Sequence, residues 1–205
     1  MSLLLLLILA APQSSLRVEL LLGGAMSLPS TLALEQPSFP PLEVDADWAG
    51  RSLEGPLYYA LRVSRSSAER AWALVYIHHK LYLVNTPPEV AAFSISHGYN
   101  LLTLERGWKV SGFWLWAGAG LVIAHPESTV RGLTWDQTGG LFGGYFLTGP
   151  TLAAAASRRI PLGARFDLGL EARFTASWAR VPIVEGTARA PDRSLHLLAG
   201  LGFRF

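Results

Sequence analysis

The last eleven residues, LHLLAGLGFRF, alternate in character up to the final side chain, and that pattern limits what the chain can become. Successive side chains of a strand point to opposite faces. Leu195, Leu197, Ala199, Leu201, Phe203 and Phe205 would therefore share one face, and His196, Leu198, Gly200, Gly202 and Arg204 the other. A soluble sheet has little use for a terminal strand whose outer face is bulky and apolar throughout. A closed barrel in lipid needs such a face, because its side chains alternate between hydrocarbon and lumen.

The composition agrees. Half of the 205 residues are hydrophobic. Outside Leu3 to Ala11, however, no apolar run approaches the ~18 residues of a spanning helix. High apolar content without long runs is the mark of spanning strands. A net charge of +2 without a basic cluster excludes nucleic acid as an expected partner, and the absence of cysteine removes disulfides and thiolate metal sites. MSLLLLLILAAPQSS has the apolar core and small-residue exit of a secretory signal, placing residues 1–14 as a signal peptide and 15–205 as one barrel domain.

From Leu16 onward the alternation recurs, and eight strands are predicted. The first sets Leu16, Val18, Leu20 and Leu22 against Arg17 and Glu19. The second has Tyr59, Leu61 and Val63 outward with Tyr58, Ala60 and Arg62 inward. The third, Ala71 to Leu83, is read with Ala73, Val75 and Ile77 outward and Tyr76, His78 and Lys80 inward. The fourth, Ala92 to Leu104, takes Ser94, Ser96, Gly98 and Asn100 as its inner set. The fifth, Gly112 to Ala124, has Trp114 and Trp116 inside. The sixth, Gly144 to Ser157, is interrupted by Thr148, Gly149 and Pro150, since proline cannot donate a ladder bond. The seventh is the clearest, with Phe166, Leu168, Leu170, Ala172, Phe174 and Trp178 opposing Asp167, Glu171, Arg173, Thr175 and Ser177. Ser194 to Phe205 is the eighth.

Connections alternate short and long. Arg65–Arg70, Arg106–Ser111 and Arg158–Ala164 are short. Pro29–Pro56, Val84–Ala91, His125–Gly143 and Val181–Arg193 are mostly longer and rich in Pro and Gly. Tight periplasmic turns and long outer loops give this rhythm, with both termini periplasmic. The first long loop contains Thr31–Glu35 and Leu42–Asp47, each shorter than the ~9 residues of a spanning strand, so it is read as an extracellular hairpin. A ten-stranded barrel is the alternative.

The inward charges Glu19, Arg62, Asp167, Glu171, Arg173 and Arg204 carry both signs. Eight strands leave an interior just wide enough for side chains, so these are expected to form a charge-paired plug. The remaining chemistry lies in His78-His79-Lys80 and Ser96-His97-Gly98-Tyr99-Asn100, where the assumed parity puts His78 near Ser96 in the lumen and His79 near His97 outside. A His beside a Ser invites a general-base reading, making His78, His97 and Ser96 the catalytic candidates, although no third carboxylate is evident. His79 and His97 alone make two ligands, too few for a metal centre. No metal and no cofactor are expected.

Gly200, Phe203 and Phe205 resemble the C-terminal assembly signal of bacterial outer-membrane β-barrels, with Leu198 departing from its usual polar residue. Together with the alternation and the loop asymmetry, the chain resembles the small OmpA/OmpX-type barrels. That resemblance implies the outer membrane as location, membrane lipid, lipopolysaccharide and the barrel-assembly machinery as partners, and a monomer. The fold hosts anchors, adhesins, OmpW-like conduits for small apolar molecules and lipid A-modifying acyl hydrolases. The lipid A 3-O-deacylases carry a wall motif of His, then Ser two residues later, then Asn. Here Lys80 follows His78 and Tyr99 follows His97 in the Ser place, so the nucleophile is missing in both registers and no catalysis is expected.

Overall fold

The computed structural model describes residues 15–135, 140–141 and 143–205. The signal peptide expected at residues 1–14 lies outside them. The described chain is all β: β1 (Ser15–Ser27), β2 (Ser30–Glu35), β3 (Leu42–Ala46), β4 (Trp48–Ala49), β5 (Tyr59–Ser66), β6 (Arg70–His78), β7 (Leu81–Leu83), β8 (Val90–Ile95), β9 (Tyr99–Val110), β10 (Phe113–Ala124), β11 (Glu127–Val130), β12 (Leu133–Thr134), β13 (Phe146–Pro161), β14 (Phe166–Ile183) and β15 (Gly186–Arg204).

Eight of these close a ring in the order β1-β5-β6-β9-β10-β13-β14-β15, with β15 returning to pair with β1 from Arg17↔Arg204 to Ser27↔Ser194. Every neighbouring pair is antiparallel. The barrel is thus eight-stranded and up-and-down. The β2–β3 pair joins the outer half of β15 only through Thr187↔Glu35 to Arg189↔Ala33, and so adds no spanning strands to make a ten-stranded ring.

Closure requires β1 and β15 to approach closely. A Cβ on Gly200 would fall 2.0 Å from the Leu20 carbonyl oxygen, so a side chain there would push the seam apart. At the short-turn end, Ser111 and Gly112 both take positive φ (48° and 83°) between the paired Val110 and Phe113. Such a turn follows the twist of a two-residue hairpin.

The outer wall is apolar. Leu20, Leu22, Leu61, Leu115, Leu121, Leu152, Leu170, Phe174, Leu195, Leu197 and Leu201 are all exposed. Trp72, Trp108, Phe113, Phe166, Phe203 and Phe205 ring the short-turn end, and Tyr59, Tyr76, Tyr145 and Trp178 stand at the other. From Phe166 to Trp178 is roughly 40 Å along β14 at ~3.3 Å per residue, or roughly 28 Å along the barrel axis at a tilt of ~45°. Two aromatic girdles separated by one hydrocarbon thickness define a membrane-spanning band.

Above the band stands a cap. β14 and β15 do not end in a long loop at Val181–Arg193 as the sequence suggests; they continue as one hairpin to a turn at Val184 and Glu185. The second sheet, in the order β12-β11-β8-β7-β4, packs over this extension and β2–β3. Leu32, Leu34, Leu81, Phe93, Ile95, Val181 and Ile183 are buried between them.

Two strands differ from their sequence reading. In β6 the lumen side carries Ala73, Val75 and Ile77, while Trp72, Leu74 and Tyr76 face outward. Both faces of this strand are apolar, so its periodicity cannot fix parity, whereas pairing with β5 does: Arg62, inside, stands opposite Val75. The Ala92–Leu104 segment is two strands, β8 in the cap and β9 in the ring, and β9 turns Tyr99, Leu101, Thr103 and Glu105 inward, leaving Asn100 on the outer face.

Candidate functional site: lumen network and rim histidines

The lumen is crossed by paired charges. Arg17 binds Asp167. Arg159 holds Glu19 at 2.9 Å, Glu19 lies 3.7 Å from Arg62, and Arg62 also binds Glu171. Arg173 links Glu171 to Glu105, with Nε 2.9 Å from Glu171 and Nη2 2.9 Å from Glu105. Four guanidiniums, Arg17, Arg62, Arg159 and Arg173, face four carboxylates, Glu19, Glu105, Asp167 and Glu171. The balance matters because an uncompensated charge buried this deeply costs several kcal/mol. Trp114 and Trp116 stack at 5.6 Å beside the network, the Arg62 guanidinium lies 4.9 Å over Trp116, and Trp116 Nε1 donates to Ser157 at 2.9 Å.

Of the six lumen charges expected from sequence, five are placed there. Arg204 is not. It is exposed at the short-turn rim and donates to the Ala164 carbonyl at 2.6 Å, because the last residues of β15 lie beyond the level at which the lumen is enclosed. Arg17, read on the inner face of the first strand, also joins the network, and Glu105 and Arg159 take part without having been singled out. Gly200, Phe203 and Phe205 lie at the closing seam, with Phe203 and Phe205 edge-to-face at 4.8 Å and the Phe205 amide donating to Leu16 at 3.0 Å.

A second polar layer fills the lumen toward the cap. His196 sits between Tyr58 and Thr175, 2.9 Å from each, and its ring meets His79 edge-to-face at 5.6 Å. His79 Nε2 lies 3.5 Å from Asp192, which accepts from Ser194 at 2.7 Å. His79 is therefore inside the barrel, not on the wall near His97. Its side chain and that of Asp192 are wholly enclosed, so this Ser-His-Asp group ties the upper lumen together.

His78 belongs to the outer face. It stacks on Tyr59 at 5.5 Å and pairs through Nδ1 with Asn100 at 2.8 Å. The predicted meeting of His78 and Ser96 does not occur, because the β6 parity is reversed and Ser96 lies in the connection after β8. Ser96 instead donates to Glu127 Oε2 at 2.7 Å and lies 3.0 Å from His97 Nδ1, which is itself 2.7 Å from Glu127 Oε1. Partial burial pushes the Glu127 carboxyl up, but contacts from Ser96, His97 and Ser94 outweigh this and hold it below the usual carboxylate range.

Glu127 supplies the carboxylate that sequence reading could not find, yet the arrangement is not a relay. A catalytic His must use one ring nitrogen for the nucleophile and the other for the acid. Here Ser96 and Glu127 share Nδ1. Among the described residues, then, His78, His97 and Ser96 form no nucleophile–base–acid chain.

No family model and no curated protein matches the chain. Solved structures do. The outer membrane protein AlkL, determined in lipid bilayers by solid-state NMR, aligns over 96% of this chain and 92% of its own with a TM-score of 0.53 at 13% identity. The chain has the fold of a small outer-membrane β-barrel. OprG from Pseudomonas aeruginosa also aligns, over 94% of this barrel and 96% of its own chain, at 11% identity and a TM-score of 0.48.

Proposed function

We propose that the protein is an integral outer-membrane barrel that closes its own lumen and presents its β-cap outside the cell as a contact surface, without a catalytic step. The observation carrying this reading is the balanced network of four arginines and four carboxylates, which joins β14 to β1, β5, β9 and β13 and leaves none of its members exposed. Above it, the His196 and His79 layer and the apolar cap core supply two further seals.

The cap end is outside and both termini are periplasmic in this reading, since the long connections lie at that end. Arg180 and Arg189, which share Glu35, are exposed just beyond Trp178, where lipopolysaccharide phosphates would meet them. The seam residues Gly200, Phe203 and Phe205 are the expected contact for the assembly machinery. The protomer works as a monomer, because the ring needs no partner strand.

Planar-bilayer recording of the purified barrel tests the closed lumen: wild-type protein should show no stepwise conductance, and resolved ion channels would overturn the reading. A peptide tag in the Val184–Glu185 turn should be labelled on intact cells, whereas periplasmic protection of that tag would invert the orientation.

A further inference from the structure

His125 is buried, and its Nδ1 has no hydrogen-bond partner. That nitrogen points at Glu127 Oε1 from 4.0 Å, too far for a hydrogen bond, while His97 Nδ1 approaches the same oxygen at 2.7 Å. The two rings stand edge-to-face at 5.1 Å. We propose that His97, His125 and Glu127 form a binding site for a divalent transition-metal ion of the zinc class, at the rim where the cap meets the ring.

The geometry is close to what such an ion needs. The ligand atoms all lie within 4.8 Å of one another, and four-coordinate zinc with bonds of ~2.0–2.2 Å sets its ligand atoms roughly 3.3 Å apart. Binding therefore lengthens the His97–Glu127 contact by about half an ångström and draws the farther atoms inward. Two imidazoles and one carboxylate favour zinc-like ions over calcium or magnesium, which take oxygen shells. An open fourth position remains for water.

Local structure prepares the ligands. His125 precedes Pro126, which holds it extended, so His125 and Glu127 project to the same side two residues apart. The His125 amide donates to Gly98 at 3.0 Å, and Tyr145 donates its hydroxyl to the His97 carbonyl at 2.9 Å. The first contact fixes the two connections against each other, and the second holds His97 to the segment leading into β13. Ser96 and Ser94 hold the second oxygen of Glu127 at 2.7 and 3.2 Å, the kind of outer contact that orients a metal-bound carboxylate. His97 is solvent-exposed, which gives an ion its way in. Once bound, the ion ties the connection between β8 and β9 to the one between β10 and β11.

The test uses the untagged, folded, full chain in detergent after chelator treatment. Calorimetric titration with Zn2+ should show about one equivalent bound, and Co2+ should give the intense visible absorption of a four-coordinate site, lost on adding Zn2+. His125→Ala and Glu127→Gln should each weaken Zn2+ binding by roughly tenfold or more, with heat-modifiable migration preserved. His78→Ala, on the outer wall, should bind as wild type. If His125→Ala fails to fold, the exposed His97→Ala provides the same reading. No stoichiometric uptake by the wild-type chain, or wild-type affinity in a folded ligand variant, would overturn the proposal.

Discussion

Arg173 on β14 reaches across the lumen to Glu105 on β9, two strands that are not neighbours in the ring, and places Nη2 2.9 Å from Oε2. Thr103 donates to Glu105 Oε1 at 2.6 Å, so the far end of this tie is itself fixed. The contact links opposite walls, and its loss leaves two carboxylates, Glu105 and Glu171, short of a cation.

Arg173→Met should therefore destabilise the barrel by about 3–5 kcal/mol, the usual cost of stranding a buried charge. Adding Glu105→Gln should recover part of the loss, because the unpaired charge is removed with its partner. Urea titration in lipid vesicles, followed by tryptophan fluorescence, measures both. A wild-type midpoint for Arg173→Met would show that the network does not support the fold.

The two faces of β14 give a second expectation. Leu170 is exposed on the apolar band, and Leu170→Arg should cost roughly 2–4 kcal/mol near mid-membrane. Thr175 is enclosed and bound to His196 at 2.9 Å, so Thr175→Arg has no space to enter and should fold no better. Thr175→Val, which keeps the volume and loses the hydrogen bond, should cost about 1 kcal/mol. Undiminished folding of Leu170→Arg in lipid would show that this face does not contact hydrocarbon.

At the closing seam, Gly200→Val brings a side chain against the Leu20 carbonyl, 2.0 Å from where its Cβ would sit. Folded, heat-modifiable barrel should fall sharply in that variant, while Ala199→Val on the exposed face should fold well. Equal yields would mean that the β1–β15 contact is not needed for closure.

These positions differ in how far the sequence revealed them. β14 and β15 are legible because one face of each is apolar and the other carries Asp167, Glu171, Arg173 or His196, so only one parity avoids charge in lipid. β6 carries Ala73, Val75 and Ile77 on one face and Trp72, Leu74 and Tyr76 on the other. Hydrophobicity does not separate those faces, and the misplaced His78 and His79 follow from that. Asp192 was hidden by Pro191, which suggests a loop, although the alternation Ala188, Ala190, Asp192, Ser194, His196 runs straight through it. The rim cluster was beyond reach for another reason: Glu127 lies about thirty residues from His97, in a separate connection, and only the pairing of β8 with β11 brings them together.

The cap makes the last prediction. Ile183 is buried beside Val181, Leu32 and Leu34, above the aromatic girdle and away from the lumen charges. Ile183→Ala opens a cavity in this small core, and such truncations cost about 2–5 kcal/mol. Because the cap sheet joins the ring only at its upper edge, the loss should fall on the cap alone. Limited proteolysis should then cut within residues 29–56 or 84–98 while the ring keeps its heat-modifiable migration. If ring and cap instead unfold together in one transition, the cap is an integral part of barrel stability and cannot serve as a separately adaptable contact surface.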